Sequence, residues 1–235
     1  MAKLFNKIRK ELINKGNFFK YSKYAIGEIV LVVVGILIAL SINNWNETRI
    51  IRNWEQQFLN DLLNEMRINN TQLTEVIEFQ SFKKEATSQL LELLENQKEE
   101  QKELIDSLYY IMISGNRTFF PTSGVYHSGL SSGKLENIQN DELKYAIMNL
   151  YDHYFLRLIY NGEVFDERVE KIAWERRLYF DKKHKKIRSF EDINNLDVYT
   201  HVEFLNTQNE IYVDLAKTNL EQMEILFNQI KEEIR

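Results

Sequence analysis

The chain has 235 residues, a net charge of −5, 28% charged and 12% aromatic residues, and no cysteine. The lack of cysteine excludes disulfides and thiolate metal sites, and the four histidines (His127, His153, His184, His201), none three or four residues from another, give a metal centre no local support. One proline, Pro121, and eight glycines, none after Gly162, argue for helices over short strands and tight turns.

Residues 1 to 24 carry seven basic side chains against Glu11, a net of +6 that leaves −11 for the rest of the chain. So acidic a body excludes a nucleic-acid binder. Within residues 1–23, Leu4, Phe5, Ile8, Leu12 and Ile13 share one helical face, with Lys3, Lys7, Arg9, Lys10 and Lys15 around it. That pattern predicts an amphipathic helix lying on anionic lipid headgroups and ended by Gly16, with a disordered basic leader as the competing reading.

Residues 24–45 read YAIGEIVLVVVGILIALSINNW. Twenty-two residues of helix reach about 33 Å, enough for a hydrocarbon core of about 30 Å. Tyr24 at one end and Asn43, Asn44 and Trp45 at the other mark the interfaces. Seven basic residues precede the segment and only Arg49 and Arg52 follow closely, so the positive-inside rule places the amino terminus in the cytoplasm. Ala39-Leu40-Ser41 offers a signal-peptide cleavage reading, against which stand the long basic region and Glu28.

Glu28 is the anomaly of this segment. It lies about 6 Å in from Tyr24, so its carboxylate can reach the headgroups. It also shares a face with Gly35 and Ala39, and Gly35-xxx-Ala39 is a small-xxx-small pair of the kind that packs helices in lipid. The expectation is a span that pairs with copies of itself or with another membrane protein, Glu28 included. A second expectation is a proton-coupled, stator-like or channel subunit with Glu28 as proton acceptor.

Beyond the span, residues 46–235 read as one all-α domain, a bundle of about four to five helices. Trp54, Phe58, Leu62 and Met66 continue the helix, and Asn69-Asn70-Thr71 offers a kink. A heptad reading breaks at Asp61, Glu65 or Lys83, which predicts a bundle helix rather than a coiled coil. A second helix covers 99–114, with Leu104, Leu108, Ile111 and Met112 inward, stopped by Gly115-Asn116. The turn-rich stretch 117–140 then interrupts the bundle. Asn140-Asp141 cap a long helix that ends at KKHKKIR, residues 182–188. A short helix follows near 189–196, capped by Ser189, and a last one covers 201–234. No strand pattern is present.

The stretch SGLSSGKL, residues 128–135, tempts two assignments. It lacks the first glycine of a phosphate-binding loop, and Leu135 stands where Mg²⁺ needs a hydroxyl. Ser131-xx-Lys134 matches S-x-x-K, but no K-T-G or S-D-N partner accompanies it. A helix closed by Gly133 accounts for it more simply. No enzyme is expected, the alternative being a periplasmic enzyme built on loop 116–140. The aromatics Tyr109, Tyr110, Phe119, Phe120, Tyr126, Tyr151, Tyr154 and Phe155 read as a core stripe with hydroxyls reaching the surface rather than a ligand pocket. KKHKK reads as a solvated helix end, or as a contact to lipid phosphate.

Two motifs carry a resemblance. YSKYAIGEIVLVVVGILIALSINNWNE resembles the opening of an uncharacterised family of single-span membrane proteins abundant in Bacteroidota. YHSGLSSGKLENIQNDELKYAIMNLYD is similar to that family's second signature. The resemblance covers about a fifth of the chain and carries no activity. It implies a Gram-negative inner membrane with the body in the periplasm, and it makes Glu28, Asn43, Asn44, Trp45, Asn46 and Glu47 family features. Within the turn-rich stretch, Phe120, Pro121, Tyr126, Leu130, Ser132, Gly133, Leu135 and Asn140 are a candidate interaction loop. A single-span protein with 24 cytoplasmic residues has no room there for a kinase or a DNA-binding domain, so an accessory or interaction subunit, partnered by membrane lipids and by another span, is the leading expectation. No cofactor is expected.

Overall fold

The computed structural model describes residues 18–96 and 99–234. The amphipathic segment expected before Gly16, with Lys3, Lys7, Arg9, Lys10 and Lys15, lies outside the described residues. The fold is all-α, as the scarcity of breakers predicts. The chain forms two compact units, Met1–Glu55 and Gln56–Arg235. A single helix, α1 (Phe18–Glu95), belongs to both. The helix runs uninterrupted through Asn69-Asn70-Thr71, which does not restart it.

The described part of the first unit is helix alone. In it an 18-residue window has a mean hydropathy of 2.7, and none of that window is buried. By length and composition it is able to cross a membrane.

The second unit packs around the rest of α1. After a 3₁₀ turn (Glu99–Gln101) come α2 (Lys102–Ile113), an extended segment, α3 (Gly124–Ser131) and a 3₁₀ turn (Lys134–Asn137). Helix α4 (Asp141–Asn149) continues through a π-helical turn (Leu150–Phe155) into α5 (Leu156–Arg176). A 3₁₀ turn (Arg177–Tyr179), a minimal antiparallel hairpin, β1 (Phe180–Asp181) and β2 (Lys186–Ile187), and the short α6 (Phe190–Ile193) lead to α7 (Leu196–Glu233).

Helix α7 runs antiparallel to α1 in one register. Arg67 lies over the Phe227 ring, Lys84 pairs with Glu210 at 2.8 Å, Thr87 and Ser88 both donate to Asn206 Oδ1, and Tyr199 donates to Glu95. As α1 advances from Arg67 to Glu95, its partner on α7 retreats from Phe227 to Tyr199. Both helices bury aliphatic side chains, Leu62, Leu73 and Leu90 on α1 and Val202, Ala216 and Ile230 on α7.

Several sequence expectations change here. The run KKHKKIR is the tip and return strand of the β-hairpin; α5 ends earlier, at Arg176. Asp106 accepts from Ile187 N at 2.7 Å, tying β2 to α2. The inward face of α2 is Ile105, Asp106, Leu108, Tyr109, Met112 and Ile113, and Leu104 is exposed. Ser189 holds the N-cap position of α6 without a side-chain cap bond, and α7 starts at Leu196 rather than His201, where Asn195 caps it by accepting from Val198 N at 3.0 Å. Asn140 caps α4 as expected, accepting from Leu143 N at 3.1 Å.

Candidate functional site

Two features stand out, one in each unit. In the first, Glu28, Gly35 and Ala39 sit at intervals of seven and four on one face of α1. A Cβ placed on Gly35 meets nothing within 4 Å. The face is therefore free among the described residues to receive another helix. At the far end of the apolar run, the Arg49 guanidinium stacks over Trp45 (5.3 Å to the centroid) and donates to Asn46 Oδ1 at 3.2 Å. The pair joins an aromatic and a cation where a headgroup layer would lie.

In the second unit, the segment between α2 and α3 is held by side chains rather than by secondary structure. Residues 115–123 have no regular backbone partners, and buried backbone groups must find others. Helix α1 supplies them in antiparallel order. Lys83 Nζ donates to the carbonyls of Ser114 and Gly115, both at 3.3 Å. Gln80 Nε2 donates to Asn116 Oδ1 and to the Arg117 carbonyl. Asn69 both accepts from Thr122 N (2.7 Å) and donates to Thr122 O (2.8 Å). Glu65 Oε2 accepts from Val125 N at 2.7 Å, placing a carboxylate at the amino terminus of α3.

From the other side, Tyr212 of α7 accepts from Phe119 N at 2.9 Å, and Asp166 of α5 accepts from Asn116 and Thr118. Gly162 makes this approach possible: a Cβ there would lie 3.0 Å from Thr118 Cβ and 3.2 Å from the Tyr212 hydroxyl.

Two stacked tyrosines close the clamp. The rings of Tyr126 and Tyr151 lie 4.3 Å apart and within 10° of parallel. Tyr151 donates to Glu65 Oε1 at 2.8 Å and Tyr126 to Asp152 Oδ2 at 2.6 Å. The π-helical turn lets Leu150, Tyr151 and Phe155 all point inward. Burial raises both tyrosine hydroxyls above their ordinary range, and the neighbouring carboxylates add to it. Burial lowers Lys83 to about 8, with Asp166 pulling the other way.

The loop residues singled out from the sequence thus divide. Tyr126 and Leu135 are buried, Gly133 takes the left-handed conformation (φ 68°) that ends α3, and Asn140 is a cap. Ser132 Oγ bonds back to the Gly129 carbonyl. These five serve the fold. Phe120 and Leu130 are exposed, Pro121 is half-exposed, and Ser131 and Lys134 are both exposed. Of the aromatic stripe, Tyr109, Phe119, Tyr126, Tyr151 and Phe155 are core and Phe120 is exposed, and the hydroxyls of Tyr126 and Tyr151 end on Asp152 and Glu65. Sequence reasoning missed Glu65, Asn69, Gln80 and Lys83. Their signal was present: Glu65, Asn69, Leu73, Val76, Gln80 and Lys83 follow one another at three- and four-residue steps along one face of α1.

Next to the clamp, a cleft of about 720 Å³ lies between residues 113–116 and α5, lined by Asn116, Asp166, Glu167, Glu170 and Trp174 among others. No three His, Asp or Glu side chains are grouped to hold a metal among the described residues.

The model of a family of unknown function, DUF6090, matches residues 28–213. The chain belongs to the DUF6090 family. No curated protein and no solved structure matches it. The DUF6090 match begins at Glu28 and takes in the apolar run, the clamp, the π-helical turn, the hairpin and the first half of α7. The resemblance read from the two sequence motifs was to a family without known activity, and the DUF6090 assignment agrees at that level.

Proposed function

We propose that this protein is a membrane-anchored interaction or accessory subunit of a Gram-negative inner membrane. Its amino terminus is cytoplasmic, its helical domain is periplasmic, and it assembles through the Glu28–Gly35–Ala39 face with a second copy or another span. The observation that carries this reading is the apolar window of α1, none of which is buried. So long an uncovered apolar surface needs lipid or another span around it. The charge difference across the run supports the orientation. The clamped segment supports recognition over catalysis, because it presents Phe120 on a backbone fixed at both ends.

The experiment uses the cysteine-free chain. Lys3→Cys and Glu191→Cys variants are treated in intact spheroplasts with a membrane-impermeant maleimide. Labelling of Glu191→Cys alone supports the orientation, and labelling of Lys3→Cys alone reverses it. Gentle extraction followed by particle mass then reads the assembly. A bare monomer without a co-purifying chain would sink the interface.

A further inference from the structure

The apolar run of α1 has a second face that the assembly through Glu28, Gly35 and Ala39 leaves open. Val34, Leu37, Ile38, Ser41, Ile42 and Trp45 line a shallow groove of about 350 Å³. Its centre lies about 110° round the helix from the Glu28–Gly35–Ala39 face, so a partner helix on one side leaves the groove uncovered. From Val34 to Trp45 the helix rises about 16 Å, the depth of one leaflet of a hydrocarbon core about 30 Å thick. The hydroxyl in the groove is already satisfied, because Ser41 Oγ donates to the Leu37 carbonyl at 2.8 Å. The wall is therefore apolar up to the Trp45 ring.

Charge is sorted around the end of this groove. Arg49 and Arg52 follow Trp45 by four and seven residues, which sets them beyond it on the same side of α1. The Arg49 guanidinium lies 5.3 Å from the centroid of the Trp45 ring, and Arg52 is exposed. Neither arginine pairs with a carboxylate among the described residues. Glu47 lies between Trp45 and Arg49, two residues from each, and so occupies the opposite side of the helix. Glu55, beyond them, is buried. Residues 46–235 together sum to −10, so two unpaired cations at the end of an apolar groove stand against the charge of the domain.

We propose that this face binds one anionic phospholipid from the leaflet around Trp45. An acyl chain lies along Val34, Leu37, Ile38 and Ile42, and Arg49 and Arg52 meet the headgroup phosphate. The site rests on the span reading above and names the partner of the span's second face. Charge complementarity selects the lipid. A zwitterionic headgroup carries a cation of its own, which two guanidinium groups repel, whereas an anionic headgroup leaves its phosphate to both. Arginine suits the role because its planar fork bonds two phosphate oxygens at once, and its long stem reaches back from beyond the interface. A parallel second copy in the groove would instead bring its own Arg49 and Arg52 to the same level, cation against cation.

The test reconstitutes the full chain, with Trp54→Phe and Trp174→Phe leaving Trp45 as the sole tryptophan, in phosphatidylcholine vesicles. The same small mole fraction of brominated lipid is added either as phosphatidylglycerol or as phosphatidylcholine. The expected result is Trp45 quenching several-fold stronger with brominated phosphatidylglycerol. Arg49→Gln with Arg52→Gln should bring the two lipids level without changing helical circular dichroism or particle mass. If Trp54→Phe disturbs the fold, native mass spectrometry of the unaltered chain and of the double arginine variant gives the same readout, phosphatidylglycerol being kept by the first and lost by the second. Equal quenching by the two lipids, or a preference that survives both arginine replacements, overturns the site. Quenching by neither lipid would assign the groove to a second span and overturn the lipid assignment. Alkaline-carbonate extraction of the same vesicles separates this inference from the span reading. A resistant chain without lipid preference overturns the site alone, and an extracted chain overturns the span and the site with it.

Discussion

Glu65→Leu would leave the Val125 N–H and the Tyr151 hydroxyl without their acceptor inside the domain. Two orphaned buried donors cost about 3 kcal/mol, so a clear loss in the thermal midpoint is expected, with Glu65→Gln losing less because an amide oxygen still accepts. Lys83 gives a test in pH. Its folded value is lowered by burial to about 8 from 10.5. Below about pH 8 it is charged in both states, and the folded chain bears the full desolvation cost. Between about 8 and 10.5 the unfolded chain keeps a proton that the folded chain has released, so stability rises with pH, by about 3 kcal/mol in all. Tyr109, Tyr126, Tyr151 and Tyr212 act oppositely: burial raises them, the unfolded chain ionises first, and stability falls above about pH 10. Urea melts should therefore show a maximum between about pH 9 and 10. Lys83→Met should flatten the rising limb; an unchanged limb would mean Lys83 is not its source.

At the scale of elements, the contact that matters is the one among α5, α7 and the segment 115–123. It depends on Gly162 having no side chain. Gly162→Ala places a methyl group against Thr118 Cβ and the Tyr212 hydroxyl, and the overpacking should cost about 1–3 kcal/mol. Amide hydrogen exchange would read the place as well as the size: Phe119 N–H, which donates to Tyr212, should lose protection more than the amides of mid-α1. Uniform loss along the chain would argue against a local wedge. The polar face of α1 follows the same logic. A helix lying beside an extended strand of backbone gains more from Asn69, Gln80 and Lys83 than from leucines, because leucines would leave that backbone unpaired.

At the scale of the whole molecule, the proposed assembly depends on one face of α1 in the first unit. Glu28→Leu should weaken association in detergent or native membrane extracts while leaving the melting of the second unit unchanged. Glu28→Gln, which keeps a hydrogen-bonding group of the same size, should assemble nearly as the parent does. If both variants assemble as the parent does, Glu28 is a headgroup anchor and not part of the interface.

Local signals alone, the scarcity of breakers, the apolar run and the cap residues, determined the helical class, the candidate span, the Asn140 cap and the Gly133 turn. Each of these is set by neighbours within one or two turns of the chain. Tertiary structure decided the rest. Glu65 and Lys83 looked like breaks in an apolar seam until segment 115–123 came to lie against them. Asp106 points inward only because Ile187, some eighty residues on, brings an unpaired N–H to it. KKHKK, which charge alone would place at a helix end, is a hairpin because Asp181 and Asp106 satisfy its backbone. In each case the deciding partner is distant in sequence, and a polar group's preference for burial is fixed by the partner it finds.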